Sequence, residues 1–432
     1  MGKMPTHIRS FIQDMKPLYY VAKMLGIAPF TLKVNAATNG EIIDIKFNSN
    51  IFGFAASAII FIVLLTGFVV ATFLPQFSLR IDPTDVLTYA VSVPLNFIGS
   101  LVLVIMNSTV NRYKLEKLVK KLTSIDKSLT DLRSGYCDQR DRRNVQVVMP
   151  VLVLAVILLT SEVFLVYYKL NPVFCIIERS CQVITLVALL QYCKMTLMIR
   201  SRLSVMYEIL SWQFSIKLSH TNCDKFGSST LNVTSNVCSR TSEKLHTPRL
   251  VLLDDLEAFS GIRTNLKTAG FVEVSVLLKL RRIYHRLYDC SKIINFMYGL
   301  PILICIFRSA TGLISVLYDL GVSFSEHTEI DFIVRLIIWT SILLGPIISL
   351  TLICDMTVSK TKDIGHKLQA LLLKDTVGSD AVEQLKLFCQ QMSKDRIVFT
   401  AAGLFDVDLS FLCTFLTTFT TYIVVMIQLK LH

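Results

Sequence analysis

The fold class is decided by residues 51–75, which read IFGFAASAIIFIVLLTGFVVATFLP and contain no charged side chain. A helix needs about 20 predominantly apolar residues to cross the hydrocarbon core of a bilayer. Residues 51–75 are therefore predicted to form a transmembrane helix, and the chain is predicted to be a membrane protein.

The composition of the whole chain agrees with this prediction. Hydrophobic residues make up 53% of the 432 residues and charged residues 18%, whereas soluble domains have about 25% charged residues. The apolar residues cluster in seven stretches, so the predicted fold class is an all-α membrane protein with seven transmembrane helices. The stretches are residues 51–75, 86–106, 145–168, 181–199, 293–318, 331–354 and 405–429.

Lys and Arg residues alternate between the segments that connect these stretches. Residues 1–50 contain six, the loop 107–144 contains ten and the loop 200–292 contains fourteen, whereas the intervening loops contain one, two and none. Because cytoplasmic loops carry the excess of Lys and Arg, the N-terminus is predicted to lie in the cytoplasm and, after seven crossings, the C-terminus outside. This topology is inverted relative to a G-protein-coupled receptor. It also explains the net charge of +12 without a nucleic-acid partner.

The pattern of charge and apolar spacing predicts four regions. Residues 1–50 form a cytoplasmic N-terminal segment, and residues 51–354 form six transmembrane helices with the two long cytoplasmic loops. Residues 355–404 form a cytoplasmic anchor helix, because 365–399 are amphipathic, and Gly403 turns the chain after it. Residues 405–432 form the seventh transmembrane helix.

Both long loops are predicted to contain helices that protrude from the membrane. Apolar residues recur at helical spacing among the lysines of residues 113–125, and helical periodicity at 250–289 extends the fifth span. Residues 219–249 are rich in Ser, Thr and Asn and are predicted to be disordered.

Motifs of enzymes and metal sites are absent from the sequence. It contains no Gly-rich phosphate loop, no HExxH and no GxSxG, and its eleven cysteines form no CxxC pair. We therefore predict neither an enzyme nor a bound metal or cofactor. A secondary transporter is an alternative, but it would need paired broken helices and an internal repeat, and the sequence shows neither.

The last span carries a polar stripe. At about 100° per residue its polar side chains fall on one narrow face of the helix, with two valines beside them. A polar line with an aliphatic step suits a water-filled pore with a hydrophobic constriction, and a helix-packing face is the alternative, because Thr and Ser also form hydrogen bonds inside bundles. The candidate pore-lining residues are Thr414, Thr417, Thr421, Val424, Val425, Gln428 and Leu429, with Ser410 at the start of the stripe.

A second group of polar and aromatic residues lies at similar depth in spans three to six. Ionisable residues within a membrane are costly unless they face a cavity or a partner. The group therefore predicts a ligand-binding cavity that opens to the outside, while the alternative is the ordinary interfacial position of Trp and Tyr and the snorkelling of Arg. The candidate ligand-binding residues are Glu162, Tyr167, Gln182, Arg308, Arg335 and Trp339.

Two short motifs resemble a known family. Residues 403–408, GLFDVD, and residues 421–429, TYIVVMIQL, resemble the C-terminal signature of insect gustatory receptors, which is Thr-Tyr, five hydrophobic residues and Gln-Phe. Leu429 stands where the family has Phe. Residues 23–30, KMLGIAPF, resemble the opening of the branch that contains the fructose receptors.

The resemblance implies a ligand-gated, nonselective cation channel with the insect odorant and gustatory receptor channel fold, assembled as a homotetramer in the plasma membrane of a sensory neuron. It implies that the last span lines a central pore and that each subunit binds its ligand toward the outside. The partners would be membrane lipid, permeant cations and a small plant-derived tastant, either a sugar such as fructose or a bitter secondary compound. An odorant receptor subunit of the same fold is an alternative; the Thr-Tyr…Gln ending favours the gustatory receptors.

Overall fold

The computed structural model is almost entirely helical. It describes residues 19–25, 30–36, 42–49, 51–73, 86–132, 172–226, 269–323, 330–373 and 378–431. The predicted third span, 145–168, lies outside these residues. The elements in chain order are β1 (Phe30–Ala36), β2 (Ile42–Ser49), α1 (Ile51–Phe73), α2 (Val86–Met106), a π-helical turn (Asn107–Asn111), α3 (Arg112–Leu132), α4 (Pro172–Phe226), α5 (Ala269–Ser323), α6 (Ile330–Leu372), α7 (Ser379–Lys394), β3 (Thr400–Ala401), β4 (Phe405–Asp406) and α8 (Leu409–Leu431).

Among the described residues, five helical stretches are long and apolar enough to cross a membrane. They are Ile51–Val70, Val93–Leu132, Ile176–Ser211, Val274–Ile314 and Ile337–Leu372. Helix α8 has 23 residues, which is also the length that a crossing needs. The predicted helical membrane fold is confirmed, while the count of seven spans and the orientation stay predictions.

Several helices continue well beyond the predicted spans. Helices α4 and α5 have 55 residues each, because apolar side chains keep recurring at helical spacing after the membrane stretch ends; Leu203, Met206 and Leu210 are all fully buried. The predicted helical extension of the fifth span, 250–289, is confirmed by α5 over residues 269–289, while 250–268 lie outside the described residues. Helix α4 also includes 219–226 of the segment predicted to be disordered, and 227–249 lie outside the described residues.

The chain forms two compact units. The first comprises 1–204, 284–362 and 395–432, and the second comprises 205–283 and 363–394. In the first unit, α1, α2 and α4 share a hydrophobic core that includes Leu64, Phe97 and Ile184. The hydroxyl of Ser100 on α2 donates to the carbonyl oxygen of Cys181 on α4 at 3.1 Å. This contact brings the middle of α2 against the candidate ligand-binding part of α4.

The helix predicted in the second loop is α3, which follows α2 through the π-helical turn. Arg202 of α4 donates from Nε and Nη2 to the two carboxylate oxygens of Asp126 on α3, at 2.8 and 2.7 Å. Lys121 of α3 pairs with Asp289 of α5. A bidentate guanidinium–carboxylate pair fixes both distance and orientation, so α3 is held against α4 and α5 within the first unit.

The second unit contains α7, which is amphipathic as predicted for 365–399. Ala381, Leu385, Phe388 and Met392 form its buried face at spacings of four, three and four residues. Asp380 lies in its first turn and Lys394 in its last. Each side chain is opposite in sign to the partial charge that the helix dipole places at its end of the helix. The predicted anchor helix, 355–404, is thus divided: 355–372 belong to the end of α6, α7 ends at Lys394, and 395–404 are not helical, while 374–377 lie outside the described residues.

Two short antiparallel strand pairs add to the predicted all-α fold. Strands β1 and β2 pair with Phe30 opposite Ser49, and β3 and β4 pair with Thr400 opposite Asp406. The second pair is a tight hairpin between α7 and α8. Gly403 lies at its tip with φ +76°, a left-handed conformation that glycine adopts without steric cost. The predicted turn at Gly403 is confirmed.

Candidate functional site

One contact group joins α4 to α6 at the predicted ligand-binding depth. The guanidinium of Arg179 lies over the ring of Trp339, 4.7 Å from its centroid, and its Nη1 atom donates to Oε1 of Gln182 at 3.1 Å. Gln182 is 5% exposed and Trp339 is partly buried. The structure thus brings together two of the predicted residues, through an arginine that was assigned to a loop. Its position three residues before Gln182 was the available signal, since residues at that spacing are neighbours on a helix.

Arg308 is a buried charge on α5. Its side chain is 6% exposed, and its Nε atom is buried with no hydrogen-bond partner among the residues that the structure describes. The thiol of Cys181 interacts electrostatically with both Arg308 and Glu178. Since Cys181 directly precedes Gln182, Arg308 belongs to the same region as the Arg179 group.

Three of the predicted ligand-binding residues have side chains that lie outside the described part of the structure. Glu162 and Tyr167 lie outside the described residues. Arg335 is part of α6, one turn before Trp339, but its side chain lies outside the described part. Their roles in a ligand site stay predictions.

The predicted pore stripe lies on the exposed side of α8. Thr414, Thr417, Thr421 and Gln428 are exposed, Val424 and Val425 are 47% and 43% exposed, and the side chain of Leu429 lies outside the described part. Among the described side chains of α8, Leu412 is the buried one. The stripe therefore does not pack against its own subunit.

The threonine hydroxyl groups of the stripe donate their hydrogens to backbone carbonyl oxygens of α8. The hydroxyl of Thr417 donates to the carbonyl oxygen of Cys413 at 2.8 Å, and that of Thr421 donates to the carbonyl oxygen of Thr417 at 3.0 Å. This pattern is common for Thr in a helix. Each hydroxyl oxygen keeps a free acceptor site that points away from the helix axis, so the stripe presents oxygen atoms at its surface.

The start of α8 is defined by a cap and by aromatic packing. Oδ1 of Asp408 accepts from the backbone N–H of Phe411 at 2.8 Å, an N-cap that satisfies one of the free donors of the first turn. The ring of Phe405 on β4 stacks on Phe411 with centroids 4.7 Å apart, and Phe415 and Phe419 continue the row at helical spacing. These contacts tie the direction of α8 to the β3–β4 hairpin.

The hairpin itself is seated on α5. Nδ2 of Asn295 donates to the carbonyl oxygen of Val398 at 2.8 Å. A Cβ atom on Gly299 would lie 2.8 Å from the backbone nitrogen of Ala402, so only a glycine permits this approach. Ala402 has φ 53°, a conformation that costs a non-glycine residue about 1–3 kcal/mol. The sequence offered Gly403 as the signal of a turn, but nothing in it indicated that the turn rests on Gly299.

The π-helical turn between α2 and α3 reaches the same part of α5. Nδ2 of Asn111 donates to Oδ1 of Asn107 at 2.7 Å and to the carbonyl oxygen of Met297 at 3.4 Å. Both asparagines are buried. Buried amides that bond across two helices fix the relative position of α2, α3 and α5 near the hairpin.

The amino-acid sequence matches a known protein family. The family model described as 7tm Chemosensory receptor matches residues 15–432. Gustatory receptor 2a of Drosophila melanogaster is 26% identical over 173 residues, which are 35% of this chain and 40% of that receptor's length.

Solved structures share the fold. The olfactory receptor OR5 of Machilis hrabei is similar over 98% of this chain and 99% of its own, with a TM-score of 0.58 at 13% identity. The same receptor in complex with eugenol gives a TM-score of 0.59 at 14% identity, with the same coverage. At this identity the similarity concerns the fold.

Proposed function

The chain belongs to the 7tm chemosensory receptor family, and from this membership we propose that it is a gustatory receptor that works as a ligand-gated, nonselective cation channel. It is a multi-pass protein of the plasma membrane and not an enzyme. The proposed ligand is a small plant-derived tastant, either a sugar such as fructose or a bitter secondary compound. The similarity to an olfactory receptor solved in complex with eugenol supports a small-molecule ligand.

The exposure of α8 is the observation that carries the channel proposal. Helix α8 has 23 residues and a polar stripe, and its described side chains apart from Leu412 are exposed or only partly buried. Such a helix is incomplete as a single copy. Facing lipid would place hydroxyl and amide groups in hydrocarbon, which is costly. Four copies around a central axis would instead direct the stripes at one another and bury the remaining faces between neighbouring subunits.

The chemistry of the stripe suits cation permeation. A hydrated cation can contact the side-chain oxygen atoms of Thr417, Thr421 and Gln428. Because these side chains carry no charge, they would not select strongly among cations. Val424 and Val425 interrupt the polar line, and a ring of such aliphatic side chains can close a pore by excluding water. We therefore propose a hydrophobic gate at the two valines.

Helix α5 connects the proposed ligand site to the proposed pore. Arg308 and Gly299 are about 14 Å apart along this helix at 1.5 Å per residue, and Pro301 lies between them. Proline lacks the N–H that would complete the helical hydrogen bond, so the helix can bend there. A ligand that binds the open arrangement better shifts the population toward it, and the β3–β4 hairpin on Gly299 would pass the shift to α8.

The test separates the ligand site from the pore in the full-length channel. Trp339→Ala removes the surface on which Arg179 lies, and such cation–π and stacking contacts contribute about 1–2 kcal/mol when partly desolvated. The effective agonist concentration should therefore rise by roughly five- to thirtyfold, with unchanged unitary current. Trp339→Phe keeps a ring and should lose less.

Gln428→Ala is the reciprocal change and should alter unitary current or ion selectivity while leaving agonist sensitivity near that of the wild type. Dose–response curves and single-channel recordings on the two variants measure both quantities. A Trp339→Ala channel that reaches the cell surface with unchanged sensitivity to every agonist would show that the ligand binds elsewhere.

A further inference from the structure

The charge of Arg308 is not balanced within the described structure. Its side chain is 94% buried, as 6% is exposed, and it forms no ion pair with a residue that the structure describes. Its buried Nε–H has no acceptor there. The side chains that interact with it are the thiols of Cys181 and Cys305, and a thiol is a weak acceptor.

An arrangement of this kind is costly for the protein. A buried ion without a partner loses its hydration and regains little of it, so buried charges are normally paired. Ionisable residues at membrane depth persist where they serve a substrate, an ion or a ligand. Glu178 is also buried and also interacts with Cys181, yet it lies beyond the 4.0 Å of an ion pair with Arg308, so it does not neutralise the guanidinium directly.

Arg179 repeats the same imbalance on the neighbouring helix α4. Its Nη1–H is used by Gln182 and its face by Trp339, but its Nε–H is buried without a partner among the described residues. Two guanidinium groups of one region thus both have an unused buried donor. Among the described residues, no acceptor reaches either Nε–H, and the acceptor that matches a guanidinium best is a carboxylate, through two parallel N–H···O bonds.

We propose that the ligand of this receptor is a small organic carboxylate whose oxygens accept from Arg308, with the rest of the molecule beside the Trp339 ring. This inference rests on the proposed function, because it names the class of tastant that opens the channel. Among the proposed tastants, the inference selects acids, such as sugar acids and phenolic acids. It excludes the neutral sugars and alcohols that share their skeletons.

The experiment compares probes that differ in the carboxylate alone. Cells that express the full chain are tested by current recording with D-gluconate against D-sorbitol, and with salicylate against salicyl alcohol. We expect the acid of at least one pair to activate at a concentration at least tenfold lower than its neutral counterpart. Arg308→Gln should remove this preference, and Arg308→Lys, which keeps the charge without the planar fork, should retain part of it.

Lys120→Gln is the control substitution, because Lys120 has the same charge but a side chain that is 45% exposed. It should leave the preference for the acid unchanged. Equal activation by acid and alcohol, or activation by alcohols alone that Arg308→Gln does not affect, would overturn the inference while leaving the channel function intact.

A second measurement does not require that any probe opens the channel. In the detergent-solubilised full-length protein, Arg308→Gln removes an unbalanced buried charge, so its Tm without probe should rise by about 1–3 °C. Gluconate or salicylate should raise the Tm of the wild type and not that of Arg308→Gln. A variant that melts at or below the wild-type temperature would show that Arg308 is a structural residue, and the inference fails. If a carboxylate raised the Tm through Arg308 but evoked no current, the result would contradict the channel function and support the site.

Discussion

Replacing Gly299 by alanine should test whether the β3–β4 hairpin positions the pore helix. The added Cβ would lie 2.8 Å from the nitrogen and 3.1 Å from the Cα of Ala402, whereas ordinary contact begins at 3.4 Å. The neighbouring atoms are backbone. The hydrogen bond from Asn295 to Val398 ties the hairpin to α5, and the one from Val407 to Phe399 closes the hairpin itself. The hairpin therefore has to shift by about half an ångström.

A matched control isolates the loss of unfolding free energy that the clash causes. Forced overpacking costs about 1–3 kcal/mol, but alanine is favoured over glycine within a helix by about 1 kcal/mol. Gly345→Ala on α6 has the same helix term and meets nothing within 4 Å. The difference in unfolding free energy between the two variants isolates the clash, and we expect Gly299→Ala to be less stable by about 1–3 kcal/mol.

Thermal melting of the solubilised full-length protein measures the stability difference, and dose–response recordings measure gating. Since α8 begins directly after the hairpin, Gly299→Ala should also change the agonist sensitivity or the fraction of channels open without agonist. If Gly299→Ala were as stable as Gly345→Ala and gated like the wild type, the hairpin would not be seated on α5 and the proposed route to the pore would be refuted.

Two further predictions concern topology and the pore. A tag at the C-terminus should be stained on intact cells and a tag at the N-terminus only after permeabilisation; the opposite staining contradicts the orientation given by the basic loops. In a Cys413→Ala background, which removes an exposed native thiol, Thr417→Cys should react with water-soluble thiol reagents in the open state and block current. Tyr422→Cys, about 140° around the helix from Thr417, should react less, and equal modification of both would argue against the stripe as a pore lining.

The regular elements could largely be predicted, because the membrane sets simple requirements for length and charge. The stretch 51–75 appears as α1, and the helical spacing of 113–125 appears as α3. The beginning of α4 was harder to predict: Pro172 is favourable in a first helical turn, but the charged residues after it resemble those of a loop. Arg179 was therefore assigned to a connection instead of to the site.

The candidate site could be predicted only in part. Gln182, Arg308 and Trp339 were identified from their polarity or aromatic character within apolar stretches. Their mutual arrangement depends on which faces of α4, α5 and α6 meet, and the periodicity of one helix does not specify its neighbour. The contact of Arg179 with Trp339, 160 residues away in the chain, illustrates this.

The sequence by itself determined that the chain is a helical membrane protein, where most of its described spans lie, and which face of the last helix is polar, because hydropathy and the helical repeat are local properties. It also determined the turn at Gly403, since few residues other than glycine adopt that backbone conformation freely. Only the tertiary structure decided that the stripe on α8 is exposed, that the turn rests on Gly299 and that the buried charge of Arg308 has no ion-pair partner among the described residues. Burial and pairing are relations between elements far apart in the chain, and they exist only once the helices have packed.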